Sequence, residues 1–212
     1  MKKFEYKGII ISWEGHASFK IKNKEKVLYI DPFQLQDFEK ADIILITHGH
    51  YDHCSSADIS KLIKRGTIVL ATPDCSSSLS KLQEIDLKLV EPNQKLELDG
   101  FKIETIPAYN NNKAFHKKIN NWVGYVIEVS GVRIYHAGDT DLIEEMKNLK
   151  NIDIALLPVG GTYTMDAKEA AEATKIIKPR IAIPMHYAKI VGNENDAVLF
   201  EKLASCEVKI LS

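Results

Sequence analysis

The sequence predicts an α/β fold built from two sheets with helices outside them, carried by one domain over residues 1–212. Three observations lead there: the first third is strand after strand, the middle is again β-rich, and the last third alternates strands with helices.

Taken in order, "GIIISW" (8–13), "SFKIK" (18–22), "KVLYID" (26–31) and "DIILIT" (42–47) are β-branched runs separated by Gly, Asn-Lys or Asp-Pro punctuation. A helix over 57–65, the strand "TIVLAT" (67–72) and a helix over 74–84 follow. "KLELDG", "FKIETIPA", "WVGYVIEVSG" and "VRIYHAGD" restore the β pattern, the last two as a hairpin turning at Ser130-Gly131. Beyond it the pattern gives helix 141–148, strand "IDIALLPV", helix 166–177, strand "IAIPMH", helix 195–205 and strand "EVKIL". The helix at 166–177 is the best marked: Asp166 suits the N-cap, Glu169 stands three residues on, and Lys178-Pro179 ends it. Its apolar stripe is Ala167, Ala170, Ala171, Ile176 and Ile177.

Composition bounds the class of protein. With 212 residues, 45% hydrophobic and 27% charged, the chain can bury a substantial core. No apolar run approaches the roughly 20 residues needed to cross a bilayer, and the N-terminus does not read as a signal peptide, so a cytoplasmic protein without membrane insertion is expected. Cys54, Cys75 and Cys206 are odd in number and scattered, which fits free thiols in a reducing compartment. A net charge of −1 gives no global attraction to nucleic acid, and no nucleic-acid partner is expected.

The chemistry concentrates in "THGHYDHCSS" (47–56), directly behind a buried strand. His48, His50, Asp52 and His53 stand where a rigid element hands over to a loop. On an extended segment His48 and His50 share one face and can converge on one ion, while Asp52 and His53 beyond the turn can reach a second. Imidazole and carboxylate donors without thiolate suit Zn²⁺, Mn²⁺ or Fe²⁺ at a hydrolytic site rather than a structural zinc site.

His48-Gly49-His50-Tyr51-Asp52-His53 resembles the His-x-His-x-Asp-His signature of the metallo-β-lactamase superfamily, and the resemblance extends over nearly the whole chain. "YHAGDTD" (135–141) looks like the segment carrying the metal-bridging aspartate, which would be Asp139, and "IPMHY" (183–187) looks like the last metal motif, with His186 as ligand. "WEGHASFKI", "YIDPF" and "PVGGTYTM" resemble a branch of small stand-alone hydrolases that includes L-ascorbate-6-phosphate lactonases and is similar to N-acyl-phosphatidylethanolamine phospholipase D. The resemblance implies a four-layer αββα sandwich with one or two ions, most plausibly zinc, at one edge of the sheets. It also implies that Asp31 is a carboxylate orienting a ligand histidine; the residues alone also allow an Asp-Pro turn.

One position departs from the pattern. Where the family takes a third histidine for its first metal, the chain reads "YNNNKAFHKK" (109–118), with Asn110 at the expected place and His116 six residues on. His116 is open between ligand, substrate contact and surface loop. His16 is expected near the site, supporting a ligand or touching substrate, with a buried structural role also open, and His136 is expected to pack or to support a ligand from behind.

The function expected is a metal-dependent hydrolase that activates water against a small anionic ester, lactone or phosphodiester, with Asp52 orienting the nucleophile and accepting its proton. The Gly160 and Gly161 amides and the Thr162 and Thr164 hydroxyls are the expected anion contacts. The alternative is a non-catalytic sensor using a degenerate first metal site. By the same resemblance, Asp139 stands where two-zinc β-lactamases carry cysteine, and His50 where diiron oxygen reductases carry glutamate. Neither activity is expected. Thioesterases of the glyoxalase II type need a C-terminal helical domain, and the RNA-processing members extra domains or a gripping arm; neither fits this length and charge.

Overall fold

Short turns with both central residues at positive φ close the sequence's hairpins, as at Ser130 and Gly131, where φ is 50° and 74°. The computed structural model describes residues 3–212, and the chain divides into two compact units, residues 1–91 with 211–212, and residues 92–210.

The first unit is a seven-stranded sheet in sequential order: β1 (Lys3–Tyr6), β2 (Ile9–Gly15), β3 (Ser18–Asn23), β4 (Lys26–Ile30), β5 (Ile43–Leu45), β6 (Thr67–Ala71) and β7 (Ile85–Leu89). β1 to β4 are antiparallel neighbours, and β4 to β7 run parallel. Parallel neighbours require a crossover, supplied here by α1 (Ser56–Leu62) after β5 and by α2 (Ser76–Leu79) after β6. Val27, Tyr29, Ile44, Ile46, Val69 and Ala71, alternating along three strands, share a core with Ile59, Leu62 and Leu79 of the helices. Their neighbours Leu28, Ile30, Ile43, Leu45 and Leu70 are buried as well, which is why these strands read as continuous apolar runs.

The second unit repeats that plan. β8 (Lys95–Leu98), β9 (Phe101–Pro107), β10 (Val123–Val129) and β11 (Val132–His136) are antiparallel, and β11, β12 (Ile154–Pro158), β13 (Ile181–Met185) and β14 (Glu207–Val208) are parallel. The crossovers carry α3 (Ala167–Ile177) and α4 (Glu194–Leu203), with α3 against β12 and α4 against both α3 and β13. The expected N-cap is the one observed: Asp166 accepts from the Lys168 and Glu169 amides while Glu169 returns a carboxylate to the Asp166 amide. The buried stripe is Ala167, Ala170, Ala171, Ala173, Thr174 and Ile177, so Ile176 yields its expected place to Ala173 and Thr174.

Several elements differ from the sequence expectation. The predicted helix 74–84 is a 3₁₀ turn over Pro73–Cys75 and the single turn of α2, and its end gives way to β7. Three serines in a row compete for backbone partners, and Ser76 and Ser80 each bond a carbonyl three residues back. The helix expected over 141–148 is a 3₁₀ turn, Glu144–Asn148, because Asp141 is engaged elsewhere. β1 pairs along β2 from Lys3 to Tyr6, an edge strand of only four residues that lies outside the strands the sequence predicts, although its Lys-Phe-Glu-Tyr alternates exposed and half-buried positions. Among the described residues, no helix is long and apolar enough to cross a membrane.

Removing the α3 cap with Asp166→Ala should lower the unfolding free energy by about 1 kcal/mol, read as a shifted urea midpoint at constant m-value.

Candidate functional site

The sequence-predicted site residues lie in two sets, one in each unit, and every one follows a strand end or a strand connection.

In the first unit the set is built on Asp31, just past β4. It is fully buried, at φ 45°, and its amide donates to the Leu45 carbonyl at 2.9 Å. Its carboxylate accepts from the Thr47 amide at 2.8 Å, from the Thr47 hydroxyl at 2.6 Å and from His53 Nδ1 at 2.8 Å. Having donated its proton to Asp31, the Thr47 hydroxyl accepts from His48 Nδ1 at 3.0 Å. Both rings are thereby held with Nδ1 as the donor, which makes Nε2 the nitrogen that carries the lone pair.

His48 Nε2 stands 2.9 Å from His50 Nδ1. Two donors on one zinc with bonds of about 2.0–2.1 Å stand roughly this far apart, so the pair has the spacing of two ligands on a common ion. Around the turn, the Asp52 carboxylate lies 3.0 Å from His16 Nε2 and 3.8 Å from His53 Nε2. The loop between is pinned by the Gly49 amide, which donates to Asp74 at 2.9 Å.

In the second unit, Asp139 sits past β11 with one carboxylate oxygen between two imidazoles, 3.2 Å from His116 Nε2 and 3.1 Å from His186 Nε2. His116 is buried, not a surface-loop residue. Asn110 holds it there: their main chains bond at 2.7 Å, and the Asn110 side-chain oxygen accepts from the His116 amide at 2.9 Å and faces His116 Nδ1 at 3.2 Å. The Tyr163 carbonyl, 3.1 Å from the same Nδ1, completes the clamp and directs Nε2 at Asp139. Asn110 is thus occupied in carrying His116, with its amide nitrogen on Asp141 at 3.0 Å and on the Tyr163 carbonyl at 2.8 Å.

Asp141 also accepts from the Asn111 amide and from Lys113. At the loop's ends Tyr109 donates to Glu145 at 2.8 Å and Lys118 reaches Glu145 at 2.9 Å. Burial first, then the bond to Glu145, raise the Tyr109 phenol above its ordinary pKa, so it stays a donor. These side-chain bonds fasten a loop that has no pattern of its own in the sequence.

His186 follows β13 at φ 58°, buried, and its main chain crosses Gly160 so closely that a Cβ there would overlap the His186 carbonyl oxygen. In "PVGGTYTM", two of the groups expected to contact an anion are engaged within the loop. The Gly161 amide donates to the Met165 carbonyl at 3.0 Å and the Thr162 amide to the Gly160 carbonyl at 3.0 Å, while the buried Thr164 hydroxyl turns to the Met165 carbonyl at 3.3 Å. Gly161 and Thr164 close the loop on itself, and the exposed Thr162 side chain stands outside it. His136 is buried and accepts from the Gly138 amide at 3.2 Å. A surface cleft of about 400 Å³ beside Lys95, Glu104, Arg133 and Glu145 is lined by none of the sequence-predicted site residues and is crossed by its own ion pairs.

The family model described as a beta-lactamase superfamily domain matches residues 10–186, from β2 to the last histidine. The chain belongs to the metallo-β-lactamase superfamily. Within the superfamily it is 40% identical over 208 residues to a UPF0173 metal-dependent hydrolase of Thermoplasma volcanium, covering 92% of this chain and 91% of that one. It is 37% identical over 211 residues to a UPF0173 metal-dependent hydrolase of Thermococcus onnurineus, covering 93% and 92%. Among solved structures, a Parabacteroides distasonis protein, assigned provisionally as a metal-dependent hydrolase, superposes with a TM-score of 0.86 at 32% identity over 99% of this chain and 96% of its own. Igni18, a metallo hydrolase of Ignicoccus hospitalis, superposes at 0.77 with 25% identity over 96% and 95%. These likenesses establish the superfamily fold class that the signature implied.

Gly160→Ala should displace His186, cost about 1–3 kcal/mol of stability and weaken metal binding; thermal unfolding and a zinc titration read the two effects separately.

Proposed function

We propose that the chain works as one domain over 1–212 and is a metal-dependent hydrolase that holds one or two ions. His48, His50, Asp52 and His53 would be metal ligands in the first unit, and His116, Asp139 and His186 in the second. The observation that carries this reading is the Asp139 oxygen flanked by two imidazole nitrogens at 3.2 and 3.1 Å, the setting of a carboxylate that neutralises neighbouring cations. The donor chemistry fits the group: five imidazoles and two carboxylates without a thiolate favour zinc, with Mn²⁺ or Fe²⁺ as alternatives.

When bound, the ions supply Lewis acidity, polarising the scissile bond and bringing the pKa of a water from 15.7 towards about 7. The chain's own residues do the rest. Asp31 and Thr47 hold His53 and His48 with Nε2 forward, and Asn110 with the Tyr163 carbonyl does the same for His116. Asp52 orients the attacking water and accepts its proton. Two divalent ions against the carboxylates of Asp52 and Asp139 leave the centre positive, which favours a small anionic ester, lactone or phosphodiester substrate. Three free cysteines fit a reducing, cytoplasmic setting. The sensor reading rested on Asn110 leaving the first ion short of a ligand. The buried His116, with Nε2 3.2 Å from Asp139, counts against that premise.

Metal-loaded protein should turn over at least one of a generic phosphodiester, lactone or thioester, and a chelator should abolish the reaction. Asp52→Ala should lower turnover by at least a hundredfold and weaken one bound ion while circular dichroism of the fold is unchanged; an Asp52→Ala protein that keeps its activity would overturn the assignment. Asn110→Ala should weaken one of two ions by about 10–100-fold, as loss of a ligand-orienting partner does. Two tightly held ions with no turnover on any substrate would instead favour the sensor.

A further inference from the structure

In both sheets the connection between the second and third strands carries a histidine: His16 between β2 and β3, His116 between β9 and β10. Each presents Nε2 to an aspartate oxygen, His16 to Asp52 at 3.0 Å and His116 to Asp139 at 3.2 Å. The two histidines are topological counterparts in equivalent chemical settings.

The placement of His16 is costly. The residue is fully buried and held at φ 53°, where the β2–β3 register shifts, and the Trp13 indole fixes the turn by donating to the His16 carbonyl at 2.9 Å. A side chain other than glycine in the left-handed region is strained, and such strain collects where a side chain must be aimed.

What it is aimed at is informative. The partners that merely orient ligand rings in this unit, Asp31 and Thr47, bond the Nδ1 atoms at the rear. His16 meets the Asp52 oxygen that also faces the forward Nε2 of His53 at 3.8 Å. The donor atoms of His16, Asp52 and His53 lie within 4.8 Å of one another, close enough to surround one ion.

We propose that His16 is a metal ligand, binding through Nε2 the same divalent ion as Asp52 and His53, so that this ion has a ligand from the β2–β3 turn. The inference rests on the reading that Asp52 and His53 hold metal.

The test is a zinc titration of the metal-free full chain, with elemental analysis after dialysis, on wild type, His16→Ala and His16→Gln. Glutamine places an amide nitrogen near the Nε2 position and keeps a hydrogen bond to Asp52, but it is a poor ligand. If His16 ligates, both variants bind one of two equivalents at least tenfold more weakly. The visible absorption of the Co²⁺-loaded protein then changes at that equivalent alone, and circular dichroism of the metal-free chains is unaltered. Wild-type stoichiometry, affinity and Co²⁺ spectrum in both variants overturn the proposal. So does a loss in His16→Ala that His16→Gln restores, which makes the residue a hydrogen-bonding support. A wild type that binds no ion overturns the metal-dependent reading of the site itself.

Discussion

A carboxylate is costly to bury among apolar strands unless hydrogen bonds replace its water, and Asp31 meets that condition with three donors from Thr47 and His53. Bonds to a charged group stabilise by about 1.5–3 kcal/mol each, so the cluster is strongly self-consistent only when all three are made. The consequences spread outward from there. The Thr47 hydroxyl, committed as donor to Asp31, has only its acceptor side for His48, and His53 has only its Nδ1 proton to give. One side chain on β4's end therefore sets the tautomers of two imidazoles 17 and 22 residues away, and with them the direction in which both present a lone pair.

The two sheets solve the same topological problem twice. Three antiparallel pairings are followed by three parallel ones, and the parallel strands force crossovers whose loops leave from strand C-termini. The chemistry stands at those exits or at the second connection: Asp31 after β4, His48 to His53 after β5, Asp139 after β11 and His186 after β13, with His16 and His116 in the turns. Even buried tyrosines correspond, Tyr29 one residue from the end of β4 and Tyr135 one residue from the end of β11. No repeat is visible in the sequence, since only connectivity and strand period are shared. An apolar pattern permits many side chains at each position.

What the sequence disclosed follows the range of the interactions involved. His48, His50, Asp52 and His53 lie within six residues behind an apolar run, so spacing alone marks them. α3 was legible to its cap because Asp166 and Glu169 interact at three residues' distance. His116 was not, because its burial depends on Asn110 bonding back across six residues and on Asp141 and Tyr163 from distant segments. The His16–Asp52 contact spans 36 positions and leaves no local signature. The glycine loop is illegible for a related reason: paired glycines with two threonines fit a phosphate cradle and a self-closed turn equally well, and the bond of the Gly161 amide to the Met165 carbonyl leaves no mark in the sequence.

Three positions of the site, His16, Asp31 and His186, share the left-handed backbone that side chains other than glycine avoid. Glycine at any of them would relieve the strain and remove the function. At each one a contact from elsewhere over-determines the conformation: the Trp13 indole on His16, the Leu45 carbonyl on the Asp31 amide, and the glycine at 160 that admits the His186 main chain. The strain of a few kcal/mol in total is small beside the burial of the strands that carry it, but it is large beside net stabilities of about 5–15 kcal/mol. Such a distribution makes sense only if aiming these side chains matters more than the stability lost. The conserved quantity in this architecture is therefore direction: strands and crossovers fix where the chain turns, and a few over-determined residues fix where nitrogen and oxygen lone pairs point.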